Sequence, residues 1–215
     1  MNIIPDMKFV KHGFRGLLVT LVLVTATHSQ VSQRLHSTRR LHLNGDWKFQ
    51  LNGATTTFYR VGFDDGDWAD IPVPGNWEMA GFEIPHYGSD VTGDYGLYRT
   101  RFAVPSYWTD RRILLRFEGV AFGFQCWIDG EYAGKFESAY QRAEFDVTSL
   151  VEPGEEHLLA VYVYKKPKGY EFDTNDAWIL SGIYRDVSIL AQPPVHISDF
   201  TMQSDEPGDF RSVVD

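Results

Sequence analysis

The stretch Ala121-Phe-Gly-Phe-Gln-Cys-Trp-Ile-Asp-Gly-Glu-Tyr-Ala133 decides the fold class of this chain. Its first eight residues are almost all apolar or aromatic, which is typical of a buried β-strand. Asp129 and Gly130 follow, and both residue types tolerate the positive φ angles that a two-residue hairpin turn requires. The stretch therefore predicts two antiparallel strands joined by a tight turn.

The same pattern of strand and turn extends towards both ends of the chain. Within residues 43–51, Trp47, Phe49 and Leu51 alternate with polar residues, as a half-buried strand requires. One short helical turn is predicted at residues 148–152. Short strands separated by turn residues indicate an all-β protein, a jelly-roll β-sandwich. The other predicted strands are residues 97–104, 112–117, 157–164, 183–190 and 195–202.

Two connections between these strands are long. Residues 65–95 are rich in Gly, Pro and Trp and show no clear periodicity, and residues 165–181 separate two well-defined strand patterns. Long loops inside compact domains tend to carry function, because a rigid scaffold holds them in place. These two segments are therefore where we expect a site.

The N-terminal segment has the pattern of an export signal. Lys8, Lys11, His12 and Arg15 form a basic lead, residues 16–26 are almost wholly apolar, and small residues follow. This order predicts a signal peptide over residues 1–29, then a flexible leader over residues 30–40, and export to the periplasm or the medium. An uncleaved anchor helix is the alternative, although the apolar run is short for a membrane span.

The composition excludes several classes of function. The net charge is −9 over 215 residues, and an acidic surface repels phosphate backbones, so no nucleic-acid partner is predicted. The single cysteine, Cys126, lies in an apolar run, which predicts a buried thiol and no internal disulfide. Because no zinc-motif or Gly-x-Ser-x-Gly spacing occurs, the sequence predicts no cofactor held by this segment alone.

One cluster on the second long connection has the chemistry of a sugar site. Tyr-Glu-Phe-Asp-Thr-Asn-Asp-Ala-Trp at residues 170–178 combines three carboxylates with aromatic rings. Carboxylates accept hydrogen bonds from sugar hydroxyls, and ring faces pack on the C–H surfaces of sugars. The alternative is an acidic surface loop with Trp178 packed in the core, as most tryptophans are. Trp47, Trp77 and Trp127 are predicted to be core residues.

Three motifs stand in order along the chain: Leu-Asn-Gly-Asp-Trp-Lys-Phe at residues 43–49, Val-Pro-Gly-Asn-Trp with Pro-His-Tyr within residues 73–87, and Asp-Ala-Trp-Ile-Leu-Ser-Gly-Ile-Tyr-Arg-Asp-Val at residues 176–187. Together they resemble the β-galactosidase branch of glycoside hydrolase family 2, whose hallmark is Asp-x-Trp-x-x-Ser-Gly-Ile-x-Arg-Asp-Val. The resemblance covers roughly residues 41–194.

The resemblance implies a domain organisation. Residues 41–194 would be the family's jelly-roll sugar-binding domain, and residues 195–215 would begin an immunoglobulin-like domain. A TIM barrel with both catalytic glutamates follows in the family, and no such segment is present, so the chain alone is expected to be inactive. The partners implied are a β-galactoside, that barrel, and further copies of the enzyme in a homo-oligomer. The alternatives are a β-glucuronidase or β-mannosidase relative, a stand-alone carbohydrate-binding module and a purely structural domain.

The resemblance also implies site residues. Asp176 stands where the family binds galactose hydroxyls and a sodium ion, and Trp178 belongs to the same motif. Asp90 and Val91 stand near the family's Asn-Val pair, with one extra residue before them. The carboxylate of Asp90 replaces an amide, so this residue accepts hydrogen bonds but cannot donate them. For the full-length enzyme the family implies sodium and magnesium. Gly182 is expected to permit a tight turn into the last strand.

Overall fold

The structure, a computed structural model, describes residues 39–88, 92–197, 200–206 and 209–214. The predicted signal peptide and nearly all of the predicted leader lie outside these ranges. The described elements belong to a compact unit that begins at Arg40. Within the described ranges, no helix is both long enough and apolar enough to cross a membrane.

The described residues form fourteen β-strands and very little helix. The helical elements are α1 (Tyr170–Asp173) and two 3₁₀ turns (Ser106–Trp108 and Thr148–Leu150), the second of which confirms the predicted helical turn. The strands are β1 (Arg40–His42), β2 (Gly45–Leu51), β3 (Ala69–Val73), β4 (His86–Tyr87), β5 (Tyr95–Ala103), β6 (Arg112–Phe117), β7 (Gly123–Ile128), β8 (Glu131–Glu137), β9 (Ala143–Asp146), β10 (Glu156–Tyr164), β11 (Trp178–Ile179), β12 (Val187–Gln192), β13 (Phe200–Glu206) and β14 (Asp209–Val214).

Two antiparallel sheets pack face to face. One has four strands in the order β1-β12-β6-β9, and the other has six in the order β3-β2-β5-β10-β7-β8. Side chains from both sheets form one buried cluster, with Leu115 and Ile189 from the first and Phe49, Phe124 and Val161 from the second. The all-β prediction is confirmed, and the two layers are consistent with a jelly-roll sandwich.

The sequence patterns that predicted strands have clear structural counterparts. Trp47 and Phe49 of β2 point inwards and contact Tyr98 of β5, with ring centroids 6.4 and 4.8 Å apart. The hairpin between β7 and β8 turns at Asp129 and Gly130, whose φ angles are 51° and 94°. Two positive φ angles match the predicted type of turn.

Several sequence predictions of strand position were wrong. The connection at residues 65–95 contains β3 and β4, the connection at residues 165–181 contains α1 and β11, and β1, β9 and β14 were not predicted. Strand β3 was missed because it is a short edge strand, which can accommodate Pro72.

Two predicted strands start later than expected. Strand β12 begins only at Val187, since the preceding backbone bonds to loops instead, as in the 2.8 Å bond from Gly75 N to Ile183 O. Residues 195–197 are irregular after a Pro-Pro pair, and β13 covers Phe200–Glu206.

The aromatic and sulfur residues of the core lie largely where predicted. Trp47 and Trp77 are buried in the main cluster. Trp127 lies on the outer face of the six-stranded sheet, where Tyr59 stacks on it with centroids 5.2 Å apart. Cys126 is buried as a free thiol, and burial raises the pKa of that thiol far above its ordinary value.

Candidate functional site

A two-stranded ribbon joins the two long connections that the sequence singled out. Strand β4 pairs antiparallel with β11, with Tyr87 opposite Trp178 and His86 opposite Ile179. A further backbone bond of 3.2 Å runs from Gly88 N to Ala177 O. Residues about ninety positions apart in sequence therefore meet at one edge of the sandwich, as a site built from two loops requires.

Asp176 lies at the start of this ribbon and is exposed. Its φ angle is 54°, a left-handed conformation that aspartate tolerates better than most residues. The hydroxyl of Tyr87 donates a hydrogen bond to Asp176 Oδ1. This bond raises the pKa of Tyr87 above its ordinary value, because losing the proton would place two negative charges side by side. Tyr87 thus orients the carboxylate and remains a donor at neutral pH.

Trp178 presents an aromatic surface beside this carboxylate. Its side chain is 59% exposed, so the alternative in which it packs in the core is wrong. Its ring meets that of Tyr87 edge to face, with centroids 5.6 Å apart and planes at 70°. A carboxylate and an exposed indole next to each other can accept hydrogen bonds from sugar hydroxyls and pack on a sugar ring.

A small concave pocket adjoins Trp178, with a volume of about 200 Å³. The hydroxyl of Tyr140 donates to Asp173 O at 2.9 Å, and that of Tyr184 donates to Ala139 O at 2.6 Å. Because both phenols are already bonded, the pocket offers mainly ring surface. Its volume suits one ring rather than an extended oligosaccharide. The residues that line it are Asn76, Ala121, Phe122, Ala139, Tyr140, Trp178, Leu180 and Tyr184.

Only part of the predicted site can be located. Asp176 and Trp178 lie together, whereas Asp90 and Val91 lie outside the described residues. Asp173 has a local structural role, since its Oδ2 accepts a 2.9 Å hydrogen bond from Ala139 N. Tyr87 belongs to the Pro-His-Tyr motif, but the sequence predicted no role for its hydroxyl, which donates to Asp176.

A buried ion cluster beneath the ribbon was also missed. Lys165 is 1% exposed, and its Nζ lies 2.6 Å from Glu83 Oε2 and 3.2 Å from Glu78 Oε1. The same ammonium lies 5.5 Å from the ring centroid of Trp77. Lysine is almost never buried unless it is paired. Because the sequence does not show that Glu78 and Glu83 lie near Lys165, it did not predict that this lysine is buried.

The described residues supply only part of the set of ligands that a cation site needs. Asp176 offers an exposed carboxylate, the kind of oxygen ligand that hard cations prefer. Across the portion of the chain that the structure describes, no three His, Cys, Asp or Glu side chains group together as metal ligands would. Asp176 can therefore serve as one ligand among others that come from elsewhere.

A β-sandwich that exposes a carboxylate and aromatic rings where two loops meet has the architecture of a carbohydrate-binding domain. A family model agrees, because residues 41–193 match the sugar-binding domain of glycosyl hydrolases family 2. The chain belongs to glycosyl hydrolase family 2.

The chain is similar to much longer proteins. The β-galactosidase of Priestia megaterium is 33% identical over 184 residues, covering 75% of this chain and 18% of that protein. The β-galactosidase of Vibrio vulnificus is 36% identical over 179 residues, covering 75% of this chain and 17% of that protein. The chain spans about a fifth of the length of the curated relatives it matches.

Solved structures show that the fold is shared more widely in the family. The β-glucuronidase 2 of Bacteroides uniformis matches with a TM-score of 0.66 at 24% identity, over 77% of this chain and 20% of that one. The β-glucuronidase of Faecalibacterium prausnitzii matches with a TM-score of 0.63 at 20% identity, over 82% of this chain and 35% of that one. At these identities the likeness concerns the fold alone.

Proposed function

We propose that this domain is the non-catalytic part of a β-galactosidase and completes the galactose pocket of a catalytic barrel. The observation that carries the proposal is the ribbon contact in which Tyr87 orients Asp176 beside the exposed ring of Trp178. Asp90 and Val91, which follow Tyr87 closely in sequence, are proposed as further sugar contacts. The domain binds and orients the sugar, and the barrel supplies the acid and the nucleophile.

The names of the relatives favour a galactoside over a glucuronide. The two curated relatives reported above, which are 33% and 36% identical to this chain, are named β-galactosidases, whereas the two β-glucuronidase structures are 24% and 20% identical. We propose β-galactosides as the substrate class, with Asp176 as one carboxylate ligand of a sodium ion.

Exposed apolar side chains on the two long connections support a partner domain. Met79 and Ile84 lie on the first long connection and Phe172 lies on α1 in the second, and all three are strongly exposed. Large apolar side chains left in water are often covered by a partner. We propose that the barrel covers them. The hairpin of β13 and β14 pairs with neither sheet, which supports residues 195–215 as the start of the next domain.

The first test compares the isolated chain with the same chain joined to a catalytic barrel. The joined enzyme is expected to hydrolyse a chromogenic β-galactoside, and the isolated chain is expected to give no turnover above a boiled control, because it lacks the acid and nucleophile pair. Turnover by the isolated chain would contradict the proposal that the barrel supplies the catalytic groups. A joined enzyme that cleaves a β-glucuronide but no β-galactoside would refute the substrate class. Tight binding of galactose by the isolated chain would instead favour a stand-alone binding module.

A second test concerns export, which the basic lead and apolar run of residues 8–26 support. The mature protein is expected outside the cytoplasm with its first residue near Thr27 or Gln30. Sequencing the N-terminus of the recovered protein measures this directly. A soluble cytoplasmic product that retains Met1 would show that no signal is cleaved, and a membrane-bound product that retains Met1 would favour an anchor helix.

A further inference from the structure

The cluster of Lys165, Glu78 and Glu83 is a charged group in the interior of a small domain. Lys165 and Glu78 have side chains that are 1% and 0% exposed, and that of Glu83 is 15% exposed. Removing charges from water is costly, and the cost is offset only while the partners stay in place. The Lys165–Glu78 contact is an ion pair and the Lys165–Glu83 contact is also a hydrogen bond of 2.6 Å. Such a cluster fixes the positions of the segments that carry it.

These segments flank both strands of the site ribbon. Glu83 lies three residues before β4. Glu78 uses its second oxygen to accept a 2.7 Å hydrogen bond from Ser181 N, two residues after β11. Lys165 directly follows β10, a central strand of the larger sheet, and its backbone N donates to Asp94 O at 3.2 Å. One lysine therefore links each loop of the site to the rigid sheet.

The ribbon needs support of this kind. Strands β4 and β11 contain two residues each, and an isolated two-stranded ribbon is marginally stable at best, even when it is longer. Strand β11 has an anchor of its own, because Ile179 is buried in a small apolar cluster. Both residues of β4 are exposed, and beyond the backbone bonds Tyr87 contacts, among the described residues, only the exposed side chains of Asp176 and Trp178, so β4 is the strand that needs support.

We propose that Lys165, through Glu78 and Glu83, is a positioning residue of the sugar site. It does not touch the sugar. It holds β4 against β11, so that Tyr87, Asp176 and Trp178 keep the geometry that accepts galactose. This inference rests on the proposed function, because the geometry matters for activity only if the ribbon binds substrate.

A matched control separates positioning from general stabilisation. Arg99 is 2% exposed and pairs with Asp65 at 2.6 Å, but it anchors a loop on the outer face of the larger sheet through bonds to the carbonyls of Phe58, Arg60 and Phe63. Asp65→Asn thus weakens an ion pair whose cation is about as buried as Lys165 and whose described contacts do not reach β4 or β11. Asp65→Asn and a variant of the lysine cluster should both lower the stability of the domain. Only the variant of the lysine cluster should alter the sugar site.

The experiment uses Glu83→Gln and Asp65→Asn in the full-length hydrolase. Glutamine keeps the shape of Glu83 and can still accept a hydrogen bond from Lys165. Glu83→Gln should therefore fold even if the more disruptive variant Lys165→Met does not. Glu83→Gln is expected to lower kcat/KM for a β-galactoside about fivefold, mainly through KM, because small displacements of binding groups weaken sugar binding. Asp65→Asn should leave kcat/KM within about twofold.

Hydrogen exchange gives a readout that does not depend on turnover. In Glu83→Gln, the amides of Gly88 and Ser181 should exchange faster while those of β10 stay unchanged. Unaltered exchange at the ribbon, or an equal rise in KM for Asp65→Asn, would overturn the positioning role. If the wild-type enzyme hydrolyses no galactoside, the proposed function fails, and the exchange at Gly88 and Ser181 then decides alone whether Lys165 holds the ribbon.

Discussion

Replacing Asp176 with asparagine in the full-length enzyme is expected to lower kcat/KM for a β-galactoside by about tenfold to a hundredfold. Asparagine keeps the shape of the side chain and can still accept the hydrogen bond from Tyr87. It removes the negative charge, and a hydrogen bond to a charged group contributes roughly 1.5 to 3 kcal/mol. The loss appears in kcat/KM because that constant compares the transition state with free enzyme and substrate, and kcat falls as well if the contact strengthens in the transition state.

Sodium dependence measures the second part of this prediction. A hard cation prefers an anionic oxygen, so the concentration of sodium needed for half-maximal activity should rise in Asp176→Asn. Tyr87→Phe is the matched variant, because it keeps the ring against Trp178 and removes only the hydroxyl that orients the carboxylate. Its effect on kcat/KM should be smaller and in the same direction.

Thermal unfolding is the control for the Asp176 variant. The side chain is exposed on a loop, so its replacement should change the stability of the domain by less than about 1 kcal/mol. Kinetics and a sodium response that match the wild type would mean that Asp176 is an ordinary surface carboxylate. The family membership would stand, and the site assignment would fail.

The sequence predicted most of the sandwich because burial imposes a period of two on its strands. Trp47 and Phe49 alternate with polar residues, and the matching hairpin turn at Asp129 and Gly130 needs only local information. Strand β3 was missed because an edge strand has fewer buried positions and accommodates Pro72. Edge strands are harder to recognise from sequence, since fewer constraints act on them.

The site was harder to predict because its parts are distant in sequence. The exposure of Trp178 depends on its pairing with Tyr87. No local sequence pattern predicts a ribbon of only two residue pairs. Asp176 was found through the family motif rather than through periodicity. Lys165 was missed because its burial depends on Glu78 and Glu83, more than eighty positions away. A single sequence does not show which distant residues will pair with a charged side chain.

Replacing Gly182 with alanine is expected to destabilise the domain strongly. Gly182 does not lie in the predicted tight turn. It forms an isolated antiparallel bridge with Ala121, to which its backbone N and O both bond, at 2.9 and 3.0 Å, and its φ angle is 118°. A Cβ atom there would lie 2.9 Å from the carbonyl oxygen of Gly75 and 2.9 Å from the hydroxyl of Tyr98. Tyr98 is fully buried, so neither neighbour can move away easily.

Two destabilising effects add in Gly182→Ala, because the strain of the backbone and the overlap of the new Cβ atom with its neighbours are separate. A strained backbone position and an overpacked site each cost about 1 to 3 kcal/mol, so the free energy of unfolding should fall by roughly 4 kcal/mol. For a domain of this size, that loss lowers the thermal midpoint by about 8 to 16 °C. Gly62→Ala is the control, since a Cβ there meets no atom within 4 Å and its φ is not in the left-handed range. Its midpoint should change little or rise slightly, because alanine restricts the unfolded chain. A Gly182→Ala protein as stable as Gly62→Ala would show that the backbone before β12 can relax, and that this glycine is not needed for the bridge to Ala121.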